Sequence, residues 1–199
     1  MSGRWVSRFN PTYVHLIFNY TLYLIIKITA ITMNNFKILL IGYGNTLRND
    51  DGVGVRIAEI IAEENLPNVQ VIATHQLTPE LAADIADASL VIFVDAVLSN
   101  QTDIRIEKLA AVTEWNNFGH AESPASLLAL TQAIYQQTPR AWGIFIPAIN
   151  CEFGEELSTI TQKGLTKAIK AIRKIITSED LTEYQKPDFD NLPADNFQE

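Results

Sequence analysis

The sequence predicts an α/β fold, a three-layer sandwich built on a largely parallel twisted sheet with helices on both faces. Three observations lead there. Apolar, β-branched runs such as FKILLIG (36–42) and LVIFVDAV (90–97) have the unbroken hydrophobicity of strands buried on two faces. Segments of helical period separate such runs, so strands and helices alternate along the chain. The core of the pattern, 33–179, is about 147 residues long, an ordinary size for one domain.

Taken in order, FKILLIG is the first strand and YGNTLRNDDG a polar, glycine-bearing loop behind it. VGVRIAEIIAEEN follows, with Val55, Ile57, Ile60 and Ile61 recurring at helical spacing. The Pro67-Asn68 turn opens a second strand, VQVIATH. TPELAADIADA predicts a short helix with Thr78 as N-cap, Pro79 at the first helical position and Glu80 in the first turn. LVIFVDAV is the third strand. DIRIEKL alternates and so predicts a half-exposed strand at an edge. SPASLLALTQAIYQQ predicts a helix opening near Ser123-Pro124, RAWGIFIP a strand ended by Pro147, and LSTITQKGLTKAIKAIRKIIT a closing helix. Ser158 is its expected cap, and Lys170, Arg173 and Lys174 sit near its negative end.

The flanks differ from this core. Residues 1–32 hold no Asp or Glu, carry Arg4, Arg8 and Lys27, and include the apolar stretch VHLIFNYTLYLIIKITAI. That stretch approaches membrane-spanning length, but Asn19 and Lys27 are costly at bilayer depth. The expectation is an N-terminal extension translated ahead of a start at Met33, with a signal-anchor-like segment as the competing reading. From Glu179 on there are seven acids, one Lys186, and Pro187 and Pro193, so 180–199 is expected to be a solvated, disordered, acidic tail.

Composition excludes several classes. At 47% hydrophobic and 19% charged residues, the chain is neither disordered nor polytopic in its make-up. A net charge of −8, with all 23 acids outside residues 1–32, argues against a nucleic-acid partner, which demands a basic face. The one cysteine, Cys151, excludes an internal disulfide and an all-thiolate zinc site, and fits a reducing, cytoplasmic setting.

In a doubly wound sheet, sites form beyond the carboxyl ends of the strands. That singles out the loops at 42–52 and 95–100. Gly42-Tyr43-Gly44 hints at a phosphate cradle, but Leu47 stands where a third glycine belongs. Thr74 and His75 replace the ribose-binding acid, and Asp50 and Asp51 occupy the place of a phosphate. One of these carboxylates can cap the following helix, which leaves the other for the crevice. Asp95 closes the third strand after five apolar residues, and either caps the following turn or faces Asp50 and Asp51, provided the first and third strands are neighbours. Converging carboxylates repel unless a cation or a shared proton joins them. A metal site also wants nitrogen. With His15 in the extension, His120 and His75 are the candidates, against the plainer reading of solvated loop histidines. Cys151 lies in no nucleophile motif and reads as an inert thiol.

KILLIGYGNTLRNDDGVG, then VIFVDAV, HAESPASLLAL and GIFIP…GEELS, in this order over about 36–176, resembles the hydrogenase maturation endopeptidases. HQLTPELA (75–82) is similar to the subgroup serving bidirectional, NAD-linked hydrogenases. The resemblance implies an endopeptidase that removes a short C-terminal peptide from the nickel-loaded large-subunit precursor of a nickel–iron hydrogenase, with the nickel supplied by that precursor. It implies Asp51 and Asp95 as metal-binding and catalytic acids, with Asp50 and Asn45 orienting the loop or the substrate. Some members carry a His directly after Ser-Pro, where this chain has Ala125; His120 is then the expected third ligand and His75 the runner-up. Two rivals stand beside this reading: a nickel-dependent chaperone that binds the precursor without cutting it, and another metal-dependent hydrolase on the same fold.

Overall fold

The structure, a computed structural model, describes residues 21–22, 37–111 and 123–177. The expected extension at 1–32 (Thr21 and Leu22 apart), the acidic tail at 180–199 and His120 lie outside the described residues. Among the described residues no helix is long and apolar enough to cross a membrane.

The unit that begins at Lys37 is a mixed α/β sandwich. Its strands are β1 (Ile38–Tyr43), β2 (Val69–Thr74), β3 (Leu90–Leu98), β4 (Arg105–Leu109) and β5 (Arg140–Ala148). They form one sheet in the order β2-β1-β3-β5-β4, parallel except for β4, which runs antiparallel to β5. The helices are α1 (Val53–Glu63), α2 (Leu81–Ala86), α3 (Pro124–Tyr135) and α4 (Thr159–Thr177).

Strand alternation divides the core between two faces. Leu39, Ile41, Val91 and Phe93 pack with Leu81 and Ile85 of α2 and Leu127 and Leu128 of α3. Gly42 points the other way, toward Gly54 and Ala58 of α1, and Gly164 of α4 sits on Ile146 of β5. The sheet is therefore covered on both sides, as the unbroken apolar runs require. β4 shows the expected edge pattern: only Ile106 is buried, while Arg105 lies over the Phe145 ring and Lys108 over the Trp142 ring.

Three local expectations are corrected. Thr78 and Pro79 do not open α2 as cap and first residue. The chain there makes short i→i+3 bonds, from the Leu81 amide to the Thr78 carbonyl and from the Ala82 amide to the Pro79 carbonyl, and α2 begins at Leu81. Pro147 does not end β5. It lies inside the strand opposite Val97, beyond the last β4 pair at Phe145, so its missing N–H leaves no ladder bond unmade on that side. Asp95 does not close β3, which runs on to Leu98. Ser123 and Ser158 do cap their helices, accepting from the Ser126 and Thr161 amides.

Candidate active site

The sheet changes direction between β1 and β3: β2 lies outward of β1, while β5 and β4 lie outward of β3. That is the switch point at which a doubly wound sheet leaves a crevice. Pairing between β1 and β3 ends at Gly42↔Val94, whereas β3 continues against β5 to Leu98↔Ala148. Asp95 is thus the first residue of β3 past the last β1 pair.

The loop from β1 returns to this place under tight constraint. Gly44 has φ +135, and a Cβ there would stand 2.0 Å from the Asp51 carbonyl oxygen, so only glycine permits the turn. Asn45 accepts from the Leu47 amide through its side chain, and its own N–H donates to Asp51 Oδ2 at 2.8 Å. A 3₁₀ turn at Asn49–Gly52 then leads into α1. Neither aspartate caps that helix, since α1 has no side-chain cap bond; the capping expectation is corrected.

Asp50 and Asp51 point to different tasks. Asp50 is fully buried. Its Oδ2 accepts from the Ile149 and Asn150 amides at 2.9 Å each, and its Oδ1 from the Ser158 amide at 2.6 Å. Burial pushes its pKa up, but those amides outweigh the burial and hold the carboxyl below its ordinary range. Asn49 beside it bonds the Glu152 carbonyl and the Glu156 amide, and Arg48 bridges to Gly154. Together they clamp the loop after β5 onto the loop after β1. This 149–158 clamp went unread in the sequence.

Asp51 is only half-buried and keeps Oδ1 clear of the Asn45 bond. It lines a cavity of about 330 Å³ with Arg48, Cys151, Ala148 and the 96–98 end of β3. Asp95 accepts from the Ala96 amide at 2.8 Å and from the buried Tyr43 hydroxyl. Burial, with the Asp51 charge adding to it, raises Asp95 to about 6 against the opposing pull of the Tyr43 and Ala96 bonds. Burial first, and then the Asp95 charge, push the Tyr43 hydroxyl well above its usual value, so it remains a proton donor. Tyr43 is a site residue that sequence reasoning missed, because its neighbour across the switch point is 52 positions away. The Cys151 thiol is pushed up by burial and by the Asp51 and Asp50 charges, which keeps it protonated and unlike a nucleophile.

Two acids whose charges oppose one another at the switch point, one lining the cavity and one largely buried behind it, suit a divalent cation or a shared proton. Among the described residues no three His, Cys, Asp or Glu side chains gather into a metal-holding group. His75 is exposed just past β2, on the far side of β1 from Asp95.

Fold and site define a doubly wound α/β chain with an uncapped carboxylate pair at its switch point. Solved structures similar to it include the [NiFe] hydrogenase maturation protease HybD from Thermococcus kodakarensis. That structure has TM-score 0.56 and 22% identity over 70% of this chain and 99% of that one. The Escherichia coli hydrogenase maturating endopeptidase HybD aligns at TM-score 0.56 and 21% identity, over 72% and 94% of the two chains. A further endopeptidase from Escherichia coli aligns at 0.53 and 24%, over 69% and 90%. The likeness is one of fold. No protein-family model and no curated protein matches the sequence.

Proposed function

We propose that this chain is an endopeptidase that trims a short C-terminal segment from the nickel-loaded large-subunit precursor of a nickel–iron hydrogenase. The observation that carries the reading is the Asp51–Asp95 pair at the switch point of a fold shared with hydrogenase maturation proteases. The HQLTPELA segment supports the branch that serves bidirectional, NAD-linked enzymes, and the single cysteine supports a cytoplasmic setting.

In this reading nickel is part of the substrate. Asp51 and Asp95 would hold it, because a cation relieves both the burial and the mutual repulsion that keep Asp95 at about 6. His120 would complete the set, with His75 as the alternative. Bound there, the metal supplies recognition and polarisation of a carbonyl. The chain's own groups position the pair. The Asn45 amide fixes Asp51, the Tyr43 hydroxyl fixes Asp95, and Asp50 fixes the wall that faces them. A precursor without metal would bring nothing to offset the paired charges, which gives cleavage its dependence on loading.

The test is the intact mass of a large-subunit precursor, with and without nickel, after incubation with the full chain. The expected result is loss of one discrete C-terminal peptide from the loaded sample only, with no loss when Asp51→Ala or Asp95→Ala replaces the wild type. Nickel-dependent association with unchanged mass would convert the reading into that of a chaperone.

A further inference from the structure

Among the described residues of the unit beginning at Lys37, few large apolar side chains stand in water, and most of them lie at one end. Leu47 (48% exposed) is on the loop after β1 and Leu98 (71%) ends β3, while Ile149 (58%) and Phe153 (85%) are on the loop after β5. All three segments leave the carboxyl ends of adjacent parallel strands. They are also tied to one another. The Gly154 amide donates to the Leu47 carbonyl, the Ser99 amide to the Ala148 carbonyl, and the Ile149 amide to Asp50. The four side chains therefore ride on one braced rim, and between its parts lies the 330 Å³ cavity that Asp51 lines. An aromatic left 85% exposed on a braced loop gains free energy when something covers it.

We propose that this rim is the docking surface for the substrate polypeptide, and that it takes an extended segment with apolar side chains flanked by basic ones. The proposal rests on the peptidase reading and names what that site recognises. Charge decides the occupant. The rim loop carries exposed Glu152, Glu155 and Glu156 around Phe153, and beyond it lie Asp51 and Asp95, with Arg48 the one cation among the described residues that line the cavity. An acidic segment would be repelled here, and a purely apolar one would gain nothing from these carboxylates. The apolar side chains would cover Phe153 and Leu98 and fill the cavity wall of Ala96, Val97 and Ala148, which places the adjoining backbone over Asp51.

The experiment measures kcat and KM of the full chain on nickel-loaded precursor across a range of salt concentrations. The doubly substituted Leu98→Ser, Phe153→Ser chain should raise KM by about tenfold or more with kcat unchanged, as loss of a central apolar anchor does. A second variant, Glu152→Gln with Glu155→Gln and Glu156→Gln, should flatten the salt dependence of kcat/KM. Both variants alter exposed side chains outside the carboxylate pair, so kcat reports whether the site is intact. Wild-type cleavage with unchanged KM in the first variant and unchanged salt dependence in the second would overturn the docking surface while leaving the peptidase standing. A wild-type dimer that the first variant dissolves, with cleavage unaltered, would give the rim to a second copy of the chain and also overturn it. A wild type that does not cut the loaded precursor would remove the peptidase reading and this proposal with it.

Discussion

At the scale of single residues, adjacent aspartates with one sequence context have opposite environments. Asp50 satisfies three backbone amides and is closed to solvent, so its removal orphans three buried donors at once. Asp50→Ala should cost about 3 kcal/mol or more in urea unfolding, by the loss of charged hydrogen bonds to buried groups. Asp50→Asn should recover part of this, since one oxygen still accepts while the amide nitrogen faces a donor. The Asp50 pKa is lower folded than unfolded, so its stabilisation is complete above the ordinary carboxylate pKa of about 4 and is lost as pH falls through the lower folded value. Acid unfolding of Asp50→Asn should therefore be shallower than that of the wild type. Asp95 behaves in the opposite sense. Raised to about 6, it is protonated below that pH, where a cation must compete with the proton, so processing should fall as pH drops through about 6. The Tyr43 hydroxyl opposes this rise by bonding the charged form. Tyr43→Phe keeps the buried ring and loses that bond, and should move the acid limb of the rate profile to higher pH. A limb that stays in place would assign it to another group.

At the scale of elements, the β1–loop–α1 unit is where sequence and structure agree best, for local reasons. A buried strand must be apolar on both faces, and an amphipathic helix must repeat at its own period; both constraints act on neighbouring residues. The glycines in that unit mark a close approach. A Cβ at Gly42 would stand 2.1 Å from the Gly54 carbonyl oxygen, and one at Gly54 would stand 2.4 Å from that of Tyr43. These obstacles are backbone, so the helix itself must move. Gly42→Ala should destabilise the fold by about 1–3 kcal/mol, as overpacking does. It should also lower processing, because Asp51 enters α1 through the same turn. Chemical denaturation and a processing assay on one preparation separate the two effects. What the sequence concealed at this scale was non-local. Asp50 reads as a helix cap because a favoured capping residue sits just before a helix, yet its partners lie 99 to 108 positions away. Pro147 reads as a strand terminator, and is admitted only because β4 is too short to reach it.

At the scale of the whole molecule, strand order decides which of the expected groups can meet. The alternation of strands and helices already implied a parallel sheet with a crevice, and the adjacency of β1 and β3 was the condition under which Asp51 and Asp95 converge; the order β2-β1-β3-β5-β4 satisfies it. The same order bears on the third ligand. His75 leaves β2, which is separated from β3 by the whole of β1, or two strand spacings of about 4.8 Å each. It is exposed, in the turn between β2 and α2. His120 lies three positions before Ser123, the cap of α3, in the sequence. His75→Ala should therefore leave precursor processing within about threefold of wild type, whereas His120→Ala should lower it by about a hundredfold, the scale on which loss of a metal ligand or its support is felt. Measured on the same nickel-loaded precursor, the reverse ranking would move the third ligand to the β2 side of the crevice.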